Sequence, residues 1–292
     1  MQTNKLRKYI LISGQTEMSN KRQPKIKFKA NALQLKKSMV ILGSMVKKNI
    51  KNQYRRSVLG IIWTVLNPLL NMLVMWFVFD KIFGRTASGL FYPVYILSGT
   101  IVFNLMRGAT TSSLTCMVSN YDLLTKTRVP YAVFPISQNL SALVNFGFSL
   151  IALLVLMLCC IPQGVEFHWT MFMILIPWLP SIMLFSIGIS FALCSIYVRF
   201  RDIKHLYGVF LTLWMYVTPI FYSLESLKLG NTINTIMHLN PMLYYVNYVR
   251  QLLMGVVPDA ITHGICYGVG ILVFIVGFVI FRLSRKKFIL YI

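Results

Sequence analysis

The chain has 292 residues, 57% of them hydrophobic and only 12% charged, with mean hydropathy +0.66. Soluble domains carry about 25% charge, so the composition excludes a water-soluble globule and predicts an all-α integral membrane protein. The formal net charge of +22 sits in the tails and in short loops between apolar runs, as membrane insertion favours, and forms no patch for nucleic acid.

Residues 1–34 read as a solvated basic tail. Lys5, Arg7 and Lys8 precede Tyr9-Ile10-Leu11-Ile12, an apolar stretch shorter than the roughly 7–15 residues of a signal peptide. Met18 is an alternative start. Residues 35–57 mix apolar and basic side chains at helical spacing. Leu35, Met39, Leu42, Met45, Val46, Asn49 and Ile50 share one face, with Lys37, Lys47, Lys48 and Lys51 mostly off it. This predicts an amphipathic helix on the membrane surface, or a soluble helix packed on a partner.

The membrane domain is expected over 58–292. Six apolar segments follow one another at 58–79, 92–115, 137–161, 171–197, 205–222 and 261–281. Most exceed the roughly 20 residues that cross a bilayer. The fifth is near the limit and contains Pro219, which a membrane helix tolerates where neighbours take up the freed carbonyl. Between the fifth and sixth, residues 223–260 hold an apolar core from Pro241 to Met254, too short to span. Asn240-Pro241 is a helix start, Asn as cap and Pro at the first helical position. The segment is expected to be an extracytoplasmic re-entrant helix packed on protein, or an ordinary interfacial helix.

Orientation follows from the basic residues. Residues 1–57, 116–136, 198–204 and 282–292 carry 24 of the 29 lysines and arginines, against Lys81, Arg85, Lys228 and Arg250 on the other side. Both termini are therefore expected in the cytoplasm of a multi-pass inner-membrane protein. Arg107 lies inside the second segment, where a charge is a functional candidate by default. None of the seven acids, Glu17, Asp80, Asp122, Glu166, Asp202, Glu225 and Asp259, falls mid-membrane, where proton relays place them. No G-x-x-x-x-G-K-[ST] motif is present. The five cysteines, in or beside apolar runs, read as buried small residues, and the four histidines show no metal spacing.

Four stretches carry a family resemblance: QYRRSVLGIIWTVLNPLLNMLVMWFVF at 53–79, SNYDLLTKTRVPYAVFPIS at 119–137, YVRFRDIKHLYG at 197–208 with TPIFYS at 218–223, and LNPMLYYVNYVRQLLMG at 239–255. In this order and with this hydropathy they resemble the permeases of type 2 ABC exporters of polysaccharides, over about residues 40–285. That family exports lipid-linked O-antigen, capsule, wall teichoic acid and related glycans.

The resemblance implies a transport subunit without enzymatic activity. It implies a dimer of this chain paired with two copies of a separate ATP-binding subunit, which holds the ATP and Mg, and no cofactor on this chain. Ser119 to Pro130 looks like the coupling helix docking on that ATPase, with Ser119, Asn120, Asp122, Leu123, Leu124, Lys126 and Arg128 as its residues. Ser119-Asn120 can cap a short helix there and Pro130 end it. Residues 35–57 look like the family's interface helix. Arg55 and Arg56 are candidates for a substrate pyrophosphate, which Arg binds as a fork, or for anionic lipid; Tyr54 suits either.

Aromatic faces offer a sugar chain sliding contact with few strong traps. Tyr207, Phe210, Trp214 and Phe221 are spaced for one helical stripe on segment five, Trp63 and Phe77 for another on segment one, and Tyr244, Tyr245 and Tyr248 crowd the outer segment. With Arg107 they are the candidate lining of a glycan channel at the dimer axis; lipid contact or packing is the competing role. A permease for a lipid or drug shares this architecture. A membrane glycosyltransferase would need clustered acids, and Asp122 and Asp202 are isolated.

Overall fold

The computed structural model describes residues 36–53, 55, 60, 62–82, 90–126, 129–223, 235, 237–285 and 288. All the regular structure among them is helical. The chain divides into two units, Met1–Ser44 and Met45–Ile292. Of the first, residues 36–44 are described; they are helical, with Met39 and Val40 exposed and Ser44 Oγ bonded back to the Val40 carbonyl at 2.9 Å. The helix bearing them, α1, covers 36–53. In its second-unit part Met45 is buried, Lys47, Lys48 and Lys51 are exposed, and Asn49 and Ile50 are half-buried.

The second unit is built on α2 (Ile62–Trp76), α3 (Tyr92–Leu114), α4 (Cys116–Ser119), α5 (Tyr121–Lys126), α6 (Val133–Cys159), α7 (Trp178–Tyr197), α8 (Ile203–Val217), α9 (Pro241–Leu253) and α10 (Ala260–Ser284). α2 contains Pro68 and passes into a π-turn at Phe77–Ile82. A 3-10 segment, Trp169–Ile174, leads towards α7. Among the described residues, four stretches are long and apolar enough to cross a membrane: Ile62–Asp80, Val133–Cys159, Trp169–Tyr197 and Ala260–Ser284. The chain is thus a multi-pass helical membrane protein. The other two segments expected to span are both helices of a different character.

α3 is the centre of the bundle, contacted by α2, α6, α7, α8 and α9. Most of its residues are buried, including Val94, Leu97, Ile101, Phe103 and Met106. Where a helix is enclosed by protein it needs no lipid-compatible surface, which is why its buried part carries Ser98, Thr110 and Ser113 among apolar residues. Its hydroxyls and the Asn139 amide stitch helices together. Asn139 Nδ2 lies 2.9 Å from Ser190 Oγ of α7, 3.2 Å from Ser113 Oγ of α3 and 2.8 Å from its own helix's Pro135 carbonyl.

α7 and α10 run together most extensively. Their contact is between backbones: a Cβ on Gly188 would meet the Val273 carbonyl oxygen at 2.5 Å, and one on Gly277 would collide with the Gly188 carbonyl. Glycine permits this approach, the usual basis of tight helix association in a bilayer.

α8 has 15 residues and ends five residues before the expected 222. Pro219 disfavours helical backbone at the residue before it, and Thr218 is accordingly extended, φ −81° and ψ 127°. The expected stripe running through Phe221 is therefore corrected. Tyr207, Phe210 and Trp214 lie on α8, but Phe221 lies beyond its end, buried and stacked on Phe79 at 5.3 Å.

Candidate functional site: an aromatic face and its clasp

Two flanks of α3 carry exposed apolar helices. On α2, Trp63, Val74 and, at the start of the π-turn, Phe77 are exposed. On α8, Leu206, Val209, Phe210, Leu213 and Tyr216 are. Behind the α8 face the rings form a chain: Tyr207 to Phe210 at 6.1 Å, Phe210 to Trp214 at 5.2 Å, Trp214 to Phe103 and to Phe185 at 6.3 Å each, and Phe185 to Tyr245 at 5.4 Å. Polar edges fix it. Tyr207 donates to Thr110 Oγ1 at 2.7 Å, and Trp214 Nε1 to Asn240 Oδ1 at 2.8 Å. Phe210 thus presents a ring to the outside while Tyr207 and Trp214 anchor it from within.

The tyrosines of α9 serve the interior. Tyr245 is fully buried and donates to the Cys266 carbonyl of α10 at 2.6 Å; Tyr248, also buried, meets His263 Nδ1 at 2.7 Å. Tyr244 is half-buried. α9 itself starts as its sequence predicts, with Asn240 accepting from Met242 N at 3.0 Å and Pro241 in the first turn. It is buried along most of its length against α3, α7 and α10. At 13 residues it measures about 20 Å, short of the roughly 30 Å hydrocarbon core.

Sequence reasoning counted Arg250 only as an outer charge. The structure makes it the centre of a clasp. Its side chain is 4% exposed. Nη1 donates to the Pro219 carbonyl at 2.8 Å, and Nη2 donates to the carbonyls of Ile220 at 3.0 Å and Tyr95 at 3.4 Å. The guanidinium carbon stands 3.5 Å from the centroid of the Tyr95 ring, a cation–π contact. Tyr95 donates to the Tyr222 carbonyl and Tyr92 to the Phe221 carbonyl, each at 2.7 Å. Four consecutive carbonyls, 219 to 222, are thereby satisfied by side chains of α3 and α9. Non-helical backbone persists inside a membrane protein only when its polar groups are met in this way. Asn240 adds a further tie through Nδ2 to Thr218 Oγ1 at 2.9 Å. The signal was present in the sequence as an arginine within the apolar run LNPMLYYVNYVRQLLMG and a proline break at TPIFYS; their pairing is a tertiary fact.

At the other end of α3, Cys116 to Lys126 forms two short helices, α4 and α5. Ser119 and Asn120 bond backward: Ser119 Oγ donates to the Thr115 carbonyl at 2.8 Å and Asn120 Nδ2 to the Cys116 carbonyl at 2.9 Å. The expected side-chain cap is therefore replaced by the backbone. The Asn120 carbonyl opens α5 by accepting from Leu123 N and Leu124 N at 3.0 and 3.1 Å. Leu124 is buried, while Tyr121, Asp122 and Leu123 are exposed. Arg128 and the side chain of Lys126 lie outside the described residues, as do Tyr54 and Arg56; Arg55 is exposed. Arg107 is half-buried on α3, and among the described residues no carboxylate pairs with it.

Near that end lies a cavity of ≈ 490 Å³. Residues 45–53 of α1 contribute Asn49, Asn52 and Gln53, α6 contributes Gln138, Ser141 and Asn145, and α3 contributes Gly108 and Ser112. Asn49 Nδ2 donates to Ser141 Oγ at 3.2 Å and Asn145 Nδ2 to Gln53 Oε1 at 3.1 Å.

The chain is thus a multi-pass helical bundle with a buried central helix, a clasped segment at one end and a short exposed helix at the other. The chain belongs to the ABC-2 type transporter family, whose pattern it matches over residues 41–254. It is similar to the O-antigen export system permease protein RfbA of Myxococcus xanthus, with 32% identity over 69% of this chain and 75% of the relative. A protein of the same name from Klebsiella pneumoniae is 26% identical over 90% of this chain and 98% of its own length. The polysialic acid transport protein KpsM of Escherichia coli is 22% identical over 77% and 84%.

Proposed function

We propose that this chain is the permease subunit of an ATP-driven exporter that moves a lipid-linked polysaccharide or polyol-phosphate polymer across the cytoplasmic membrane. The observation that carries the proposal is similarity to polysaccharide-export permeases along nearly the whole chain, joined to a fold that leaves aromatic faces open on α2 and α8. Two copies pair through these faces, and Trp63, Phe77 and Phe210 line the path between them. Tyr207, Trp214, Tyr245 and Tyr248 hold that wall from behind.

In this reading the chain crosses the membrane six times. α3, at 23 residues, is about 35 Å long and enclosed by protein; α8 completes its crossing through the clasped segment 218–223. α9 is the re-entrant helix of the outer leaflet, and both termini are cytoplasmic. α5 docks on a separate ATP-binding subunit, which supplies ATP hydrolysis with Mg; its exposed Tyr121, Asp122 and Leu123 give the apolar and polar contacts of a transient interface. Arg55 and Arg56 meet the pyrophosphate of the cargo at the inner headgroups.

The test is co-expression with the candidate ATPase. A stable complex is expected, whose hydrolysis falls when residues 121–124 are altered. A permease that never co-purifies with an ATPase, and whose deletion leaves surface glycan unchanged, sinks the proposal.

A further inference from the structure

The cavity beside the inner end of α3 has an unusual wall for a membrane protein. Five carboxamides face it, from Asn49, Asn52, Gln53, Gln138 and Asn145, with the hydroxyls of Ser112 and Ser141. No charged side chain is among its described lining residues. Its ≈ 490 Å³ falls within the roughly 300–1,000 Å³ of small-molecule sites. Those sites are lined mostly by apolar side chains, whereas seven of the nine residues lining this one are polar.

Each carboxamide offers two N–H donors and a carbonyl acceptor, and each serine hydroxyl both donates and accepts. The same duality belongs to a sugar hydroxyl, so vicinal hydroxyls can be met pairwise by one amide. An anion asks for a different wall: phosphate is held by Arg, Lys or converging backbone N–H groups. Two bonds cross the wall internally, and the side chains of Asn52, Gln138 and Ser112 bond to no described residue. The wall is partly braced and partly uncommitted.

We propose that this cavity is a binding site for an uncharged polyhydroxyl group, a sugar or alditol unit, next to the helix that docks the ATPase. The proposal rests on the export reading, and deepens it by separating two tasks at the inner face. The arginines at 55 and 56 take the charge of the cargo, and the carboxamides take its first neutral sugar.

The test uses the full chain carrying Ser112→Cys, in inside-out membrane vesicles, with maleimide labelling of position 112 followed by peptide mass spectrometry. Glucose, N-acetylglucosamine, ribitol and inorganic phosphate are the probes. At about twice its Kd at least one neutral probe is expected to slow labelling by about threefold, the roughly two-thirds occupancy of a single site, while phosphate leaves the rate unchanged. Adding Asn52→Leu or Gln138→Leu removes the protection, while an unchanged rate without probe shows that the fold is kept.

Slow labelling before any probe is added, in vesicles from glycan-making cells and not from cells that make none, identifies the cargo as the occupant. Slowing by added probe alone identifies a free sugar. In vesicles from cells that make no glycan, where the cavity is free of cargo, equal protection by phosphate overturns the proposal, as does no protection by any neutral probe. Whether deletion of the chain removes surface glycan is scored separately, so a transporter without this subsite and a subsite without transport give different results.

Discussion

Arg250 shows how a charge can be held among carbonyls. Its guanidinium reaches three backbone oxygens and lies over the Tyr95 ring. Gly99 makes room for it, since a Cβ there would stand 3.0 Å from Nη2. Replacing Arg250 by Met strands the carbonyls of 219 and 220 in the protein interior, at about 1–3 kcal/mol for each such orphaned group. Arg250→Met is expected to unfold at clearly lower temperature in detergent. Arg250→Lys is expected to recover only part of the loss, because an ammonium lacks the planar fork. Equal melting of wild type and Arg250→Met would show that the clasp contributes no stability. Trp214 tests the same region more gently. Trp214→Phe keeps one aromatic ring behind Phe210 and loses the bond to Asn240 with part of the indole packing, an expected cost of about 1–2 kcal/mol. Trp214→Ala also removes the ring behind Phe210, and export should fall further than stability. Normal export by Trp214→Ala at normal protein level would remove the aromatic wall from the mechanism.

Helices were legible from the sequence where one physical cause acted alone. The long apolar runs became α2, α6, α7 and α10, and Asn240-Pro241 starts α9 as the cap chemistry requires. Legibility failed where a partner decided. The Tyr207–Phe221 spacing is helical on paper, but Pro219 and the waiting side chains of Tyr92, Tyr95 and Arg250 favour a broken segment over continued helix. α3 was expected as an ordinary span, and only its enclosure by five neighbouring helices explains its polar content. The amide-lined cavity left no trace in any motif, because its residues come from three separate stretches, 49–53, 108–112 and 138–145. The contact of α7 with α10 is likewise tertiary. Gly277→Val should push the helices apart and cost about 1–3 kcal/mol, as overpacking does, read as lower yield of folded protein. On α5, Tyr121→Asp with Leu123→Asp changes exposed side chains only and should leave melting within about 0.5 kcal/mol of wild type. Affinity for the ATPase should drop roughly tenfold, the loss of one well-packed contact. A double variant that still couples hydrolysis to export would move the docking surface elsewhere.

For the molecule as a whole, the open question is which of its apolar faces meets lipid and which meets cargo. Exposure alone does not separate them: Phe210 on α8 is 50% exposed and Ile151 on α6 is 49% exposed. A charge does separate them. A lysine facing the centre of the bilayer costs about 2.5–3.5 kcal/mol on insertion scales, whereas one facing a hydrated path costs little. Phe210 is the central residue of α8 and Ile151 lies five residues past the centre of α6, so both stand well inside their helices. Phe210→Lys is therefore expected to insert and assemble at near wild-type levels while slowing export, because it replaces a sliding ring face with a cation beside the moving glycan. Ile151→Lys is expected to lower the amount of assembled protein, with export per molecule unchanged. If the two variants lose assembly equally, α8 faces lipid as α6 does, and the proposed path must be sought on another face.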